Sequence, residues 1–349
     1  MLEGIHIKNF RCFEDFQLEG FGQVNLIGGL NNSGKTVLLE GIFLGDTNPF
    51  PSIPHLKIFR YNNNESWVGD GSFNDWNDLF YNKQPNQTIT IEHGWASQQK
   101  TSLSMSFQLE EISNTGKLSL VSCIDDQLYA KAELEAKHGS HRPSLDIIQP
   151  TETAIKPLRK ILIGIQSTGT NLQPTILAKH YSQFELLEQD HHILEAVQTI
   201  DPSITALKVI VVGQPNLYAQ RANEPLLPIE FFGDAITKLV RVVIGLLRFQ
   251  NGIILIDEIE NGIHYSNQEQ VWELIFKWAK QFNVQVFATT HSKEMANAFN
   301  KIALEQEENT KACYIEMARH YKTNKIIGTV MPPDILQHKI ENNQAFRGE

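Results

Sequence analysis

The sequence predicts an α/β fold: a mixed sheet flanked by helices, with an antiparallel β lobe and an inserted helical region. Three observations predict it. A glycine-rich stretch, Gly29–Thr36, follows an apolar strand at Gln23–Ile27 and precedes a helical pattern from Lys35 through Val37, Leu38, Leu39 and Ile42. The run GIILI at 252–256 reads as a strand buried on both faces, and it ends in Asp257 and Glu258. A second apolar strand, Val284–Ala288, runs into ATTHS at 288–292 and a helix starting at Ser292.

Taken in order, apolar alternation at Gly4–Ile7 and Phe13–Leu18 predicts short strands ahead of the glycine loop. Residues 45–85 scatter Asn, Pro, Ser and Trp without a period, the mark of loops and short helices. The aromatic group Trp67, Phe73, Trp76, Phe80 and Tyr81 reads as a small packed subcore. Alternation returns between 87 and 130 in QTITIEH, TSLSMSFQL and KLSLVSC, which predicts antiparallel strands. Residues 131–158 are polar and contain proline, and they predict a flexible connection.

A buried strand at Lys160–Ile165, helical segments near 173–200 and paired strands at Leu207–Val212 and Leu217–Ala219 follow. Ile236, Leu239, Val240, Val243 and Leu247 stand at helical spacing and predict a helix over Asp234–Arg248. Ser266 and Glu269 form a capping-box pattern opening a helix with the stripe Val271, Leu274, Ile275 and Trp278. Two strands and a short helix close the chain. The expected organisation is an N-terminal lobe (1–130), a linker with helical and strand insertion (131–225), and a C-terminal lobe (226–349).

Composition narrows the class. The 349 residues, 41% hydrophobic and 20% charged, are an ordinary globular mixture long enough to bury a core. A net charge of −10 provides no global field for nucleic acid. Cys12, Cys123 and Cys313 are far apart, a pattern of free thiols in a reducing compartment rather than structural zinc. No signal-peptide pattern and no bilayer-length apolar run is present, so a cytoplasmic protein without a membrane partner is expected. His138 and His141 lack a Cys or carboxylate partner at ligand spacing and read as loop residues.

Residues 29–36, Gly-Leu-Asn-Asn-Ser-Gly-Lys-Thr, match G-x-x-x-x-G-K-[ST] in full. Such a loop, here Gly29, Asn31, Asn32, Ser33 and Gly34, folds into a nest of backbone N–H groups around a β-phosphate, and the helix that follows adds its positive end. Lys35 then reaches the β- and γ-phosphates, and the Thr36 hydroxyl sits on Mg²⁺. Asp257, emerging at a strand's carboxyl end, is the second magnesium-holding group, and Glu258 is positioned to polarise an attacking water as general base. His291, between a strand and a helix, is placed to donate a hydrogen bond to phosphate.

The segments IHIKNFRCFEDF, VNLIGGLNNSGKTVLLEGI, ILIDEIENGIH and FATTHS resemble, in that order, the RecF/OLD-type branch of the ABC ATPases. Many members of that branch are stand-alone ATPases of bacterial phage-defence operons. The resemblance covers 1–45 and 225–300 and implies a two-lobed ABC-type P-loop head that binds ATP and Mg²⁺ and hydrolyses ATP. Lys35 and Asp257 are over 200 residues apart, consistent with an insertion between the lobes. The resemblance puts Glu260–His264, with Asn261, at the D-loop that crosses a dimer interface, and His291 at the switch histidine. It puts Phe231–Ala235, with Gly233, where a Ser-x-Gly segment contacts the other subunit's γ-phosphate. The serine is absent here, and Asp234 brings a negative charge or serves as a helix N-cap. Arg11 is a candidate nucleotide contact by resemblance; the resemblance assigns no Q-loop glutamine, and Gln166, after the strand KILIGI, is a candidate for it.

Three functions follow as expectations. The first is an ATPase that dimerises, or forms a higher homo-oligomer, on ATP and controls a separate effector, a nuclease or toxin of antiviral defence. Only about fifty residues follow the Ser292 helix, too few for a Toprim nuclease domain. The second is a RecF-like DNA-repair clamp with DNA as its partner. The third is a slow-turnover, nucleotide-bound scaffold.

Overall fold

The computed structural model describes residues 1–45, 77–110, 115–137, 144–148, 163–166, 174–306 and 311–342. The chain opens on the hairpin β1 (Leu2–Phe10) and β2 (Phe13–Glu19), then enters β3 (Val24–Gly29), the phosphate-loop stretch and α1 (Lys35–Phe43). β4 (Ile89–Trp95), β5 (Lys100–Glu110), β6 (Thr115–Ile124), β7 (Gln127–Lys137) and β8 (Ser144–Ile148) join the hairpin in a seven-stranded antiparallel sheet, order β2-β1-β4-β5-β6-β7-β8. β9 (Ile163–Gln166), α2 (Pro174–Leu186) and α3 (Asp190–Ile200) come next. They are followed by a three-stranded sheet of β10 (Ile204–Val212), β11 (Gln214–Arg221) and β12 (Leu227–Pro228). The C-terminal part runs α4 (Asp234–Arg248), β13 (Ile253–Ile256), α5 (Gln268–Gln281), β14 (Gln285–Thr289), α6 (Lys293–Leu304), β15 (Ala312–Arg319), β16 (Ile326–Met331) and α7 (Pro333–Glu341).

Six of these strands make the central mixed sheet, order β16-β15-β3-β14-β13-β9, with only β16 antiparallel. The apolar run at 253–256 explains why it needs two covering layers. Ile254 and Ile256 join the core formed with the helices, while Ile253 and Leu255 join the core formed with α1 and the antiparallel sheet. β14 repeats the alternation, with Val286 and Ala288 on the helical side and Phe287 on the other. α1 is therefore wedged between two sheets, with all its residues but Thr36 buried.

Three expectations need correction. Residues 131–158 are not a flexible connection throughout: β7 continues to Lys137, and β8 pairs with it from Lys131↔Ile148 to Glu135↔Ser144. The period-2 pattern is present in KAELEAK, but alanines carry it between charges, and polarity hides it. The capping box at Ser266 does not form. Tyr265–Asn267 is a short 3₁₀ turn, α5 starts only at Gln268, and Glu269 pairs instead with Lys301 at 2.6 Å. The local partner of Ser266 is His264, whose Nδ1 lies 2.9 Å from the Ser266 hydroxyl. Asp234 is not an N-cap either: Gly233 holds that position and Asp234 is the first residue of α4.

The expected lobe boundary at residue 130 falls inside β7. Phe80 is buried and bridges Phe10, while Trp67, Phe73, Trp76, His138 and His141 lie outside the described residues. Cys12, Cys123 and Cys313 are not joined in disulfides. Among the described residues, no helix is long and apolar enough to cross a membrane.

Candidate functional site

The stretch Gly29–Thr36 leaves the carboxyl end of β3 and becomes α1 at Lys35. Its path depends on two glycines with positive φ, 151° at Gly29 and 91° at Gly34. A Cβ at Gly29 would lie 2.3 Å from the Met317 carbonyl oxygen on β15, so a side chain there cannot be accommodated. Gly34 is the N-cap of α1 and leaves the helix without a side-chain cap, so its first N–H groups have no side-chain acceptor. Asn31 and Asn32 are exposed, and the Asn32 carbonyl accepts from Arg319 Nη2 at 3.2 Å. Ser33 is 3% exposed, and its hydroxyl has no hydrogen-bond partner among the described residues. Together these groups fit an anion: a phosphate oxygen satisfies both helix amides and a buried hydroxyl.

Lys35 is buried, and its ammonium donates to the Gly29 carbonyl at 2.8 Å and the Leu30 carbonyl at 2.9 Å. It lies 3.1 Å from His291 Nδ1. An ammonium can only donate, so that nitrogen accepts and the imidazole proton resides on Nε2. Burial pushes the Lys35 pKa down to about 8, against the opposing pull of Asp257, Glu260 and Glu258.

The Thr36 hydroxyl lies 3.2 Å from Asp257 Oδ2 and 3.4 Å from Oδ1. Two hard oxygen donors thus converge from residues separated by most of the chain, a donor set suited to magnesium that keeps water and phosphate as its other ligands. Burial pushes the Asp257 carboxyl pKa up, while hydrogen bonds from Thr289 and Thr36 and the charge of Lys35 pull it down. Among the described residues, no group of three or more His, Cys, Asp or Glu could hold a metal. A phosphate-assisted site of one carboxylate and one hydroxyl does not need such a group.

Glu258 follows with φ 50°, left-handed for a non-glycine residue. Its N–H donates to Thr289 Oγ1 at 2.8 Å, and its Oε2 accepts from Asn261 Nδ2 at 2.6 Å. Thr289 Oγ1 in turn donates to Asp257 Oδ1 at 2.5 Å. One hydroxyl at the end of β14 therefore sets both acids. The His291 N–H donates to Glu260 Oε1 at 2.6 Å, tying the β14 end to the loop after β13.

The other expected residues lie as follows. Arg11 Nε is 2.5 Å from Glu40 Oε2, a carboxylate of α1 that is 0% exposed, so its guanidinium anchors α1 to the β1–β2 turn. The same turn abuts the phosphate loop, since a Cβ on Gly34 would lie 3.2 Å from Cys12 Sγ. Gln166 ends β9 opposite Ile256, the residue before Asp257. Gly233 is exposed at the start of α4. Gly262 packs against that start, because a Cβ there would lie 2.8 Å from Asp234 Cβ. The segments bearing Gly233 and Asn261 are therefore neighbours within one chain.

Sequence reasoning missed two residues of this cluster. Thr289 is hidden inside ATTHS, where the histidine draws attention, although its place directly after an apolar strand is a usable signal. Lys238, whose ammonium donates to the Glu258 carbonyl, carries no local signal because it is an unremarkable polar position of an amphipathic helix.

The chain is similar to known proteins. The family model described as "AAA domain, putative AbiEii toxin, Type IV TA system" matches residues 24–295, from the start of β3 into α6. A Helicobacter pylori protein named ATP/GTP phosphatase is 23% identical over 379 aligned positions, covering 100% of both chains. The DNA replication and repair protein RecF of Clostridioides difficile is 34% identical over 77 residues, 22% of this chain and 20% of that one. Among solved structures, an SMC head bound to the C-terminal winged-helix domain of ScpA aligns with a TM-score of 0.51 at 12% identity. That alignment covers 97% of this chain and 99% of the other, a likeness of fold.

Proposed function

The chain belongs to the AAA-domain family matched over residues 24–295 and is an ATPase with an ABC-type head; from that premise we propose that two copies close on ATP and that closure controls a separate effector protein. The observation that carries the site reading is the meeting of Thr36 with Asp257 at 3.2 Å, with Glu258 and Lys35 in the same cluster. Loop amides from Gly29, Asn31, Asn32, Ser33 and Gly34 bind the phosphates. Lys35 exchanges its loop carbonyls for phosphate oxygens. Thr36 and Asp257 would hold Mg²⁺, which when bound neutralises charge developing on the phosphates. Glu258 accepts the proton of the attacking water, and His291 donates from Nε2 to hold the terminal phosphate. Phosphoryl transfer needs positioning and charge stabilisation more than covalent chemistry, and these groups provide both.

Closure of two copies is supported by exposed apolar groups around the site. Phe231 is 76% exposed beside Gly233, and Tyr265 is 70% exposed just beyond Asn261. In the closed pair, Gly233 and Asn261 of one copy would meet the ATP held by the other. The proposed lobes, 1–130 and 226–349, flank the 131–225 segment. A separate effector is supported by the winged-helix partner that the SMC head carries. We assign the effector to phage defence, with a nuclease or toxin activity and a cytoplasmic setting.

The test is the mass of Glu258→Gln protein with and without ATP–Mg²⁺, alone and with the products of neighbouring genes. The expected result is a doubled mass with ATP and ATP-dependent co-elution of one neighbour. An unchanged mass with ATP demonstrably bound would contradict closure. The likeness to RecF favours one second reading, a DNA-stimulated clamp. That reading requires DNA binding that weakens steeply with salt.

A further inference from the structure

Glu258 is held in an unfavourable backbone conformation, and a residue from a different element supplies one of the restraints. A non-glycine residue at φ 50° is disfavoured by contact of its Cβ with the backbone and persists only where its neighbours fix it. Three groups fix this one. The Glu258 N–H donates to Thr289 Oγ1 at 2.8 Å, its carbonyl accepts from the Asn261 N–H at 3.1 Å, and the same carbonyl accepts from the Lys238 ammonium. Thr289 and Asn261 belong to the motif-bearing loops. Lys238 comes from α4, five residues into the helix whose N-cap is Gly233.

The surroundings of Lys238 argue that it is more than a chance surface contact. It is half-buried, and desolvation pushes its pKa down to about 8. Glu260, Glu258 and Asp257 act in the opposite direction, and Arg241 on the same helix adds to the lowering. A cation has been placed in a partly dry position facing the carboxylate cluster, with its nitrogen on one carbonyl. An apolar side chain would fill that space at no desolvation cost.

We propose that Lys238 is a positioning residue for ATP hydrolysis: its hydrogen bond to the Glu258 carbonyl holds the left-handed backbone that aims the Glu258 carboxylate at water. The inference rests on Glu258 being the general base. A general base misplaced by about 1 Å loses on the order of 100-fold in rate, whereas nucleotide held by the Gly29–Thr36 amides and Lys35 is unaffected.

The experiment uses the full chain as wild type, Lys238→Met, Lys238→Arg, Glu258→Gln and the Lys238→Met/Glu258→Gln double variant. Steady-state ATP turnover and equilibrium binding of a fluorescent ATP analogue are measured for each. Lys238→Met is expected to lose about 10- to 100-fold in kcat with the analogue's Kd within about threefold of wild type. Lys238→Arg, which still donates, recovers most of the rate. In the Glu258→Gln background, Lys238→Met changes turnover by less than about twofold, because the group it positions is already gone. Retained kcat in Lys238→Met would overturn the proposal. So would an equal loss in both backgrounds, or loss of binding along with turnover, each of which points to general support of the fold. If Glu258→Gln alone turns over like wild type, it is the reading of Glu258 that fails.

Discussion

Lys35 commits all three of its N–H groups to the chain: two loop carbonyls and His291 Nδ1. Phosphate oxygens compete for those donors, so binding and catalysis should separate cleanly between residues. Lys35→Ala is expected to weaken ATP binding by about 10- to 100-fold, the worth of a charge-assisted hydrogen bond, as read by calorimetric titration. Equal affinity in wild type and variant would contradict this. Thr289→Val keeps the shape but strips Asp257 and the Glu258 N–H of their shared partner. It should cost about 1–3 kcal/mol of stability in denaturant melts and lower turnover more than it lowers affinity. Gly29, Lys35, Thr36, Asp257, Glu258 and His291 were legible because each stands in a local pattern with one chemical use. Lys238 was not, since its role depends on a carbonyl twenty positions away along the chain.

Elements were legible where one period dominated. The α4 stripe from Ile236 to Leu247 gave its helix to the residue, and the unbroken apolar run of β13 announced a strand with two covered faces. They were hidden where polarity masked the period, as in β7, or where tertiary pairing overrode a local cap, as at Ser266 and Glu269. The antiparallel sheet meets α1 through His93, fully buried on β4, whose Nε2 is 3.0 Å from the Gly41 carbonyl. Burial pushes its pKa down to about 4, so the unfolded chain takes up the proton first. A depressed native pKa makes stability fall as pH drops from about 6.5 toward 4. Between pH 7 and 5 the loss should be about 2 kcal/mol in urea unfolding, and His93→Gln should flatten that dependence. An unchanged slope in His93→Gln would place the acid sensitivity elsewhere.

At the scale of the molecule, the central sheet draws strands from both ends of the sequence: β3 lies between β14 and β15 and runs parallel to β14 and β13, so the phosphate loop and the acid pair share the carboxyl end of one sheet. This adjacency is what a motif search alone cannot supply, because Lys35 and Asp257 become neighbours only through the strand order. Leu255, buried between the layers, tests how far the site leans on that sheet. Leu255→Ala should cost about 2–5 kcal/mol in thermal or denaturant unfolding and lower the temperature at which turnover is lost, with kcat near wild type below it. The division of labour at the carboxyl end of the sheet is tested most directly by ATP binding and single-turnover hydrolysis in wild type and Glu258→Gln, measured side by side with Mg²⁺. The expected result is equal ATP affinity with a rate lower by about 100-fold or more in the variant, ATP being recovered intact from its complex. Equal hydrolysis rates in the two proteins, or ATP bound by neither, would contradict a site in which the glycine loop binds and Glu258 activates water.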